Sequence, residues 1–253
     1  MNLLISGALG RMGKKVFDAS VLDGELTPVC GVDRFENLEN KNFPVYDSYS
    51  KVTEKVDVII DFSAPATLPS LLEYAINNKV PAVLCATGYQ QPELDAINNA
   101  SKLIPIFRSA NMSLGVNILI DLVKRASIAL AEGFDIEIIE KHHNQKVDAP
   151  SGTALMLADG IKEVLPEKFY SYGRQGICGK RDKNEIGIHA VRGGNIVGEH
   201  DVIFAGENET ITLSHSAQDR GVFANGAIKA AKFLIGKKPA IYNMSDVINQ
   251  NNA

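Results

Sequence analysis

With 253 residues, 45% of them hydrophobic and 22% charged, the chain has the composition of a globular protein with one large domain or two modest ones. Its formal net charge of -4 excludes a globally basic surface, so no nucleic-acid partner is expected. Cys30, Cys85 and Cys178 are odd in number and share no C-x-x-C spacing, which argues against a disulfide framework and a cysteine-rich metal site.

The chain opens on a short apolar run, Asn2 to Ser6, suited to a strand buried on both faces. It is too short for a secretion signal, and nothing later approaches the roughly 20 apolar residues of a membrane helix. A soluble, cytoplasmic protein without a membrane partner is expected. Gly7-Ala8-Leu9-Gly10-Arg11-Met12-Gly13 follows, then a helical period over Lys14 to Leu22 and a second apolar run over Thr27 to Val32. Strand, glycine turn, helix and strand within about 30 residues is the pattern of a dinucleotide-binding unit. The spacing G-x-x-G-x-x-G is looser than G-x-G-x-x-G. Asp33, however, follows Gly13 by 20 positions, where an acid meets the adenosine ribose. Asp33 suits the diol of NADH, and Arg34 beside it suits the extra phosphate of NADPH, so NADH, NADPH or both are expected.

Further strand and helix patterns alternate: Val56 to Phe62, Thr67 to Asn77, Pro81 to Ala86, Pro92 to Ser101 and Ile104 to Arg108. This rhythm predicts a parallel sheet with helices on both faces. Ligands lie past the carboxyl ends of such strands. The cofactor candidates there are Gly7, Ala8, Leu9, Gly10, Arg11 and Met12, with Asp33 and Arg34, Cys85, Ala86 and Thr87, and Ser109, Ala110, Asn111 and Met112.

A long apolar helix over Leu114 to Ala131 marks a change of grammar. Asp135 to Glu140 alternates as a half-buried strand does, and it leads into Lys141-His142-His143-Asn144-Gln145-Lys146-Val147-Asp148-Ala149-Pro150 and then Ser151-Gly152-Thr153. Two imidazoles, an ammonium and the start of a helix over Ser151 to Leu165 suit an anion that must also receive a proton. Ser151 itself reads as an ordinary helix cap. Phe169 to Asn184 reads as an exposed polar loop. Ile186 to Arg192, Ile196 to Ala205 and Glu209 to His215 alternate in period two, and the turns at 193–195 and 206–208 predict hairpins between them. A helix over Gly221 to Leu234 and a short extended segment at Ile241 to Met244 close the chain. The expected fold class is α/β: a Rossmann-type parallel sheet domain, residues 1–112 and 221–253, plus a smaller α+β domain, residues 113–220, with a mixed or antiparallel sheet. One face of that sheet is left for another subunit.

The motifs together resemble the 4-hydroxy-tetrahydrodipicolinate (dihydrodipicolinate) reductase family nearly end to end. The resemblance rests on Gly7 to Gly13, Asp61-Phe62-Ser63, Ala86-Thr87-Gly88, Ala110 to Asn117, Arg192 to His200, Phe223 to Ala227 and, above all, Glu140 to Ala154. The family's Asp-Phe-Thr is Asp-Phe-Ser here, Gly-Thr-Thr-Gly is Cys85-Ala86-Thr87-Gly88, and the usual phenylalanine after Ala-Asn is Met112. The resemblance implies NAD(P)H-dependent reduction of a small cyclic dicarboxylate in diaminopimelate and lysine synthesis, with His142 and Lys146 catalytic. It also implies substrate contacts from His143, Gly152 and Thr153, no metal, and a homotetramer. Another Rossmann-type imino- or amino-acid dehydrogenase, or a non-catalytic NAD(P)-sensing module, stands as the alternative. Asp148 and Arg192 are left without an assigned role.

Overall fold

The computed structural model describes residues 1–34 and 42–250; residues 35–41 and 251–253, within the expected first domain, lie outside the described residues. The chain divides into two compact units, 1–114 with 220–253, and 115–219.

In the first unit β1 (Asn2–Ser6) leads through the glycine turn into α1 (Arg11–Asp23), then β2 (Thr27–Val32) and the two-residue β3 (Val45–Tyr46). Next come β4 (Val58–Asp61), α2 (Leu68–Asn78), β5 (Ala82–Leu84), α3 (Gln91–Ala100) and β6 (Pro105–Arg108). The apolar runs that form these strands alternate between two cores. Leu3, Ile5, Val58, Ile60, Val83 and Phe107 face one, shared with Val16 of α1. Leu4, Ile59, Ala82, Leu84 and Ile106 face the other, against Leu68, Leu71 and Leu72 of α2 and Ile97 of α3. Each strand is thus apolar on both sides, as a doubly covered parallel sheet requires.

The second unit holds most of α4 (Leu114–Ala129), then β7 (Asp135–His142), α5 (Gly152–Val164), β8 (Phe169–Tyr172), β9 (Glu185–Arg192), β10 (Gly198–Ala205) and β11 (Thr210–Ala217). The strands form one five-stranded mixed sheet in the order β11-β10-β7-β9-β8. Ile136, Ile138, Ile186, Ile188, Val202 and Phe204 on one face pack against Leu119 and Val123 of α4 and Leu157 and Ile161 of α5. The opposite face is polar and laced with ion pairs, with Glu137 between Arg174 and Arg181 and Lys141 between Glu199 and Asp201.

Two expectations fail here. The turn at 193–195 joins no hairpin, because β7 lies between β9 and β10, parallel to the first and antiparallel to the second. Local Gly-Gly-Asn chemistry bends the chain but cannot report an earlier strand already holding the place between. The turn at 206–208 does close a hairpin, β10 with β11. Residues 169–184 are also not loop throughout, since Phe169–Tyr172 pairs with β9 as an edge strand.

The chain then returns to the first unit with α6 (Gly221–Leu234), β12 (Ala240–Tyr242) and α7 (Met244–Gln250). Ala224, Ala227, Ile228, Ala231 and Leu234 of α6 complete the core on the α1 side. Addition of β12 beside β6 gives seven parallel strands in the order β12-β6-β5-β4-β1-β2-β3. Strand order reverses between β1 and β4, and that switch point opens a crevice at the carboxyl edge.

Candidate active site

In the first unit, the glycine turn is folded tightly onto the switch point. Gly7 has φ of +72° and donates its N–H to Val32 O at 2.8 Å, and a Cβ at this position would lie 2.9 Å from Phe62 O. At Gly13 a Cβ would lie 2.2 Å from Gly7 O and 2.6 Å from Ala8 O, so no other residue lets α1 begin this close to the turn. Gly10 is the N-cap of α1 and no side chain caps the helix, which leaves its leading N–H groups, at Arg11 and Met12, for a ligand. Leu9 N–H donates to one oxygen of Asp33 at 3.0 Å, and Arg34 N–H donates to the other at 2.8 Å. The carboxylate is therefore fixed, with lone pairs to spare for a diol.

A pocket of about 390 Å³ opens there, lined in part by Gly7, Asp33, Arg34, Tyr49, Ser63 and Thr67. Its floor is a buried hydroxyl network. Ser6 donates to Asp61 at 2.5 Å, Tyr49 donates to Ser6 at 2.7 Å, and Ser63 donates to Asp61 through both its N–H and its hydroxyl. Burial pushes the Asp61 carboxyl up, against the pull of these donors. Tyr49 and Thr67 were not singled out from sequence; each is an ordinary polar residue until the sheet forms. A cradle closed to any Cβ, an uncapped helix start and a fixed acid fit a dinucleotide. Cys85, Ala86 and Thr87 follow β5, and Ser109 to Met112 follow β6, on the same carboxyl edge. Two of these side chains face inward. Met112 is buried in the α1-side core and Cys85 packs against it, with burial raising its thiol pKa. These positions can offer backbone and not side chain to a ligand.

In the second unit, the alternation of β7 sends Glu140 and His142 to the same buried face. His142 Nδ1 lies 2.7 Å from Glu140 Oε2. Arg192, the register partner of His142 on β9, grips Glu140 with both terminal nitrogens at 2.7 Å each, and donates to Asp148 O as well. Ser151 joins three elements: its N–H donates to Glu140 at 3.0 Å, its hydroxyl caps α5 by accepting from Ala154 N–H, and the same oxygen is 2.9 Å from His200 Nε2. Gly152 and Thr153 lead α5, and a Cβ at Gly152 would meet nothing within 4 Å. Lys146 pairs with both oxygens of Asp148, at 2.8 and 2.9 Å, which holds the Asp148 carboxyl below its ordinary pKa. His143 lies just past β7, in the turn whose carbonyl accepts from Lys146 N–H.

So His142, Lys146, Gly152 and Thr153 are gathered on one connected scaffold. Of the residues that gather them, Ser151 is the helix cap expected from sequence, whereas Glu140, Arg192 and His200 had no role assigned there. For Glu140 a signal existed: it sits two positions before His142 on a strand. Arg192 had none, because its pairing depends on the strand order.

Residues 1–112 match the family described as "Dihydrodipicolinate reductase, N-terminus", and residues 115–248 match its C-terminus. The chain is 57% identical over 251 residues to the 4-hydroxy-tetrahydrodipicolinate reductase of Caldanaerobacter subterraneus subsp. tengcongensis, covering 99% of each. It is 49% identical to that of Clostridium novyi over 99% of each. Among solved structures, the dipicolinate-bound dihydrodipicolinate reductase from Paenisporosarcina sp. TG-14 superposes with a TM-score of 0.80 at 24% identity, over 96% of this chain and 97% of that one, a likeness of fold. With both halves matched and relatives this similar along their whole length, the chain belongs to the dihydrodipicolinate reductase family.

Proposed function

We propose that the two units divide the work of one reaction, the NAD(P)H-dependent reduction of 4-hydroxy-tetrahydrodipicolinate to tetrahydrodipicolinate, with loss of water, in diaminopimelate and lysine synthesis. The observation that carries this reading is the similarity to reductases of that name over 99% of the chain. When bound, NADH or NADPH supplies the hydride. In the first unit, residues Gly7 to Met12 hold the pyrophosphate with backbone N–H groups and the start of α1. Asp33 accepts from the ribose diol, and Arg34 meets a 2′-phosphate where one is present. Residues 85–87 and 109–112 close on the remainder of the dinucleotide through their backbone.

In the second unit the substrate is a small molecule with two carboxylates. The N–H groups of Gly152 and Thr153 at the start of α5, with the Thr153 hydroxyl, hold one carboxylate, and the helix dipole favours that negative charge. His143 contacts the ring. His142 and Lys146 hold and deliver the proton, and Lys146 exchanges Asp148 for the substrate's other carboxylate. The protein is read as cytoplasmic; no described helix is long and apolar enough to cross a membrane. A homotetramer, built on the polar face of the mixed sheet, is part of the same reading and is checked by light scattering.

The test is NAD(P)H oxidation with the freshly formed condensation product of pyruvate and aspartate semialdehyde. Turnover with at least one cofactor is expected. Folded protein that binds NADH but turns over with neither cofactor refutes the reading. His142→Ala and Lys146→Ala are each expected to lower kcat by roughly 10²-fold or more, the usual worth of a positioned acid or base, with NADH affinity nearly unchanged.

A further inference from the structure

Glu140 is 0% exposed, and a carboxyl group in that place is expected to take up a proton unless it is strongly paired. Burial does push it upward, but Arg192, His142 and the Ser151 N–H outweigh burial and hold it below the ordinary carboxylate range. It is therefore ionised near neutral pH and has no hydrogen to give. The 2.7 Å contact with His142 then fixes the direction of that bond: Nδ1 carries the hydrogen and donates it to Glu140. We propose that Glu140 is a positioning residue for the reduction, locking His142 as its Nδ1–H tautomer so that Nε2 alone gains and loses the catalytic proton. This rests on the reading of His142 as a proton-transfer residue.

The surroundings of Nε2 agree. It has no hydrogen-bond partner among the described residues, and it is not among the polar atoms buried without one, unlike His200 Nδ1. Gly198 of β10 lies over it so closely that a Cβ would sit 3.1 Å from Nε2, so glycine leaves this atom uncovered. The charged and titratable groups around the ring are few. Glu140 on β7 and Arg192 on β9 form a compensated pair, and Lys146 and Asp148 on the loop form another. His200 on β10 meets the ring edge-on, centroids 5.2 Å apart, with His215 of β11 beyond it. Burial and the charge of His142 push His200 down to about 4, and burial lowers His215, so neither adds charge near neutral pH. The carboxylate touching Nδ1 is thus the nearest polar group to the ring, and it sets which nitrogen carries the hydrogen.

The first test reads the tautomer in the unmodified protein, by ¹⁵N correlation spectra of His142 at a pH where the ring is neutral. A protonated Nδ1 and a bare Nε2 are expected; a ring protonated on Nε2 overturns the proposal. The second uses Glu140→Gln. Its kcat is expected to fall roughly 10²-fold with KM for NADH unchanged, and the ¹⁵N spectrum of its His142 ring to show a mixture of the two tautomers in place of Nδ1–H alone. Wild-type kcat and an unchanged Nδ1–H tautomer, in a variant that still binds NADH, overturn the proposal while leaving His142 as proton donor. If the wild-type protein shows no turnover, the functional reading fails, and the spectrum alone decides the tautomer.

Discussion

At the scale of single residues, the first unit turns on a missing Cβ. Replacing Gly13 by alanine places a methyl carbon 2.2 Å from Gly7 O, against backbone that cannot swing aside. Overpacking of this kind costs roughly 1–3 kcal/mol. Gly13→Ala is expected to lower the melting temperature and weaken NADH binding together, as read by calorimetry and fluorescence titration. The second unit is tuned by acid instead. Burial pushes Glu137 upward, but hydrogen bonds from Arg174, His189 and Arg181 outweigh it and bring its pKa from 4.5 to about 2. A depressed acid adds stability above its unfolded pKa and loses it as pH falls through the folded one, here from about 4.5 to about 2. His200 acts earlier. Its pKa falls from 6.5 to about 4, so the unfolded chain binds the proton more readily and stability declines as pH drops across that window. Denaturant midpoints measured from pH 7 to pH 4 are expected to fall for the wild type and to fall less for His200→Gln.

Elements explain what could be read in advance and what could not. The parallel sheet was legible because its strands are apolar runs separated by helical periods, and both signals are local. The candidate cofactor loops were read from it, since sheet geometry puts strand ends on one edge. The mixed sheet was legible strand by strand but not in its order. β7 enters between β9 and β10, and the same turn chemistry that closes the β10–β11 hairpin closes none at 193–195. That one insertion also brings Arg192 to Glu140, so the missed order and the missed counter-ion are a single omission. β8 was hidden for another reason: an edge strand with one covered neighbour needs no strict alternation. The start of α5 shows how an element carries a site. Ser151 caps it, ties it to β7 through Glu140 and to β10 through His200. Ser151→Ala is expected to cost about 1–2 kcal/mol, the worth of a cap plus a lost buried hydrogen bond. Its kcat should also fall, because the helix start and Glu140 lose a common anchor; urea titration and steady-state kinetics on the same sample check both.

At the scale of the whole molecule, the first unit is made of two separated stretches of chain and the second of one. During synthesis the ribosome releases residues 115–219 complete, while the first unit still lacks α6 and β12. Until those arrive, the sheet face carrying Leu3, Ile5, Val58, Ile60 and Phe107 has no cover from Ala224, Ala227, Ala231 and Leu234. The early half of the nascent chain is therefore its most aggregation-prone form, a sheet with one side covered by α1 alone. A fragment of residues 115–219 is expected to give a cooperative thermal transition, whereas a fragment of residues 1–114 is expected to bind a hydrophobic dye and precipitate. Adding residues 220–253 in trans should restore solubility to the second fragment. Any truncation that spares every candidate site residue but removes α6 would then abolish the enzyme through its order of assembly, and chaperone demand in the cell would fall on the interval between the two halves.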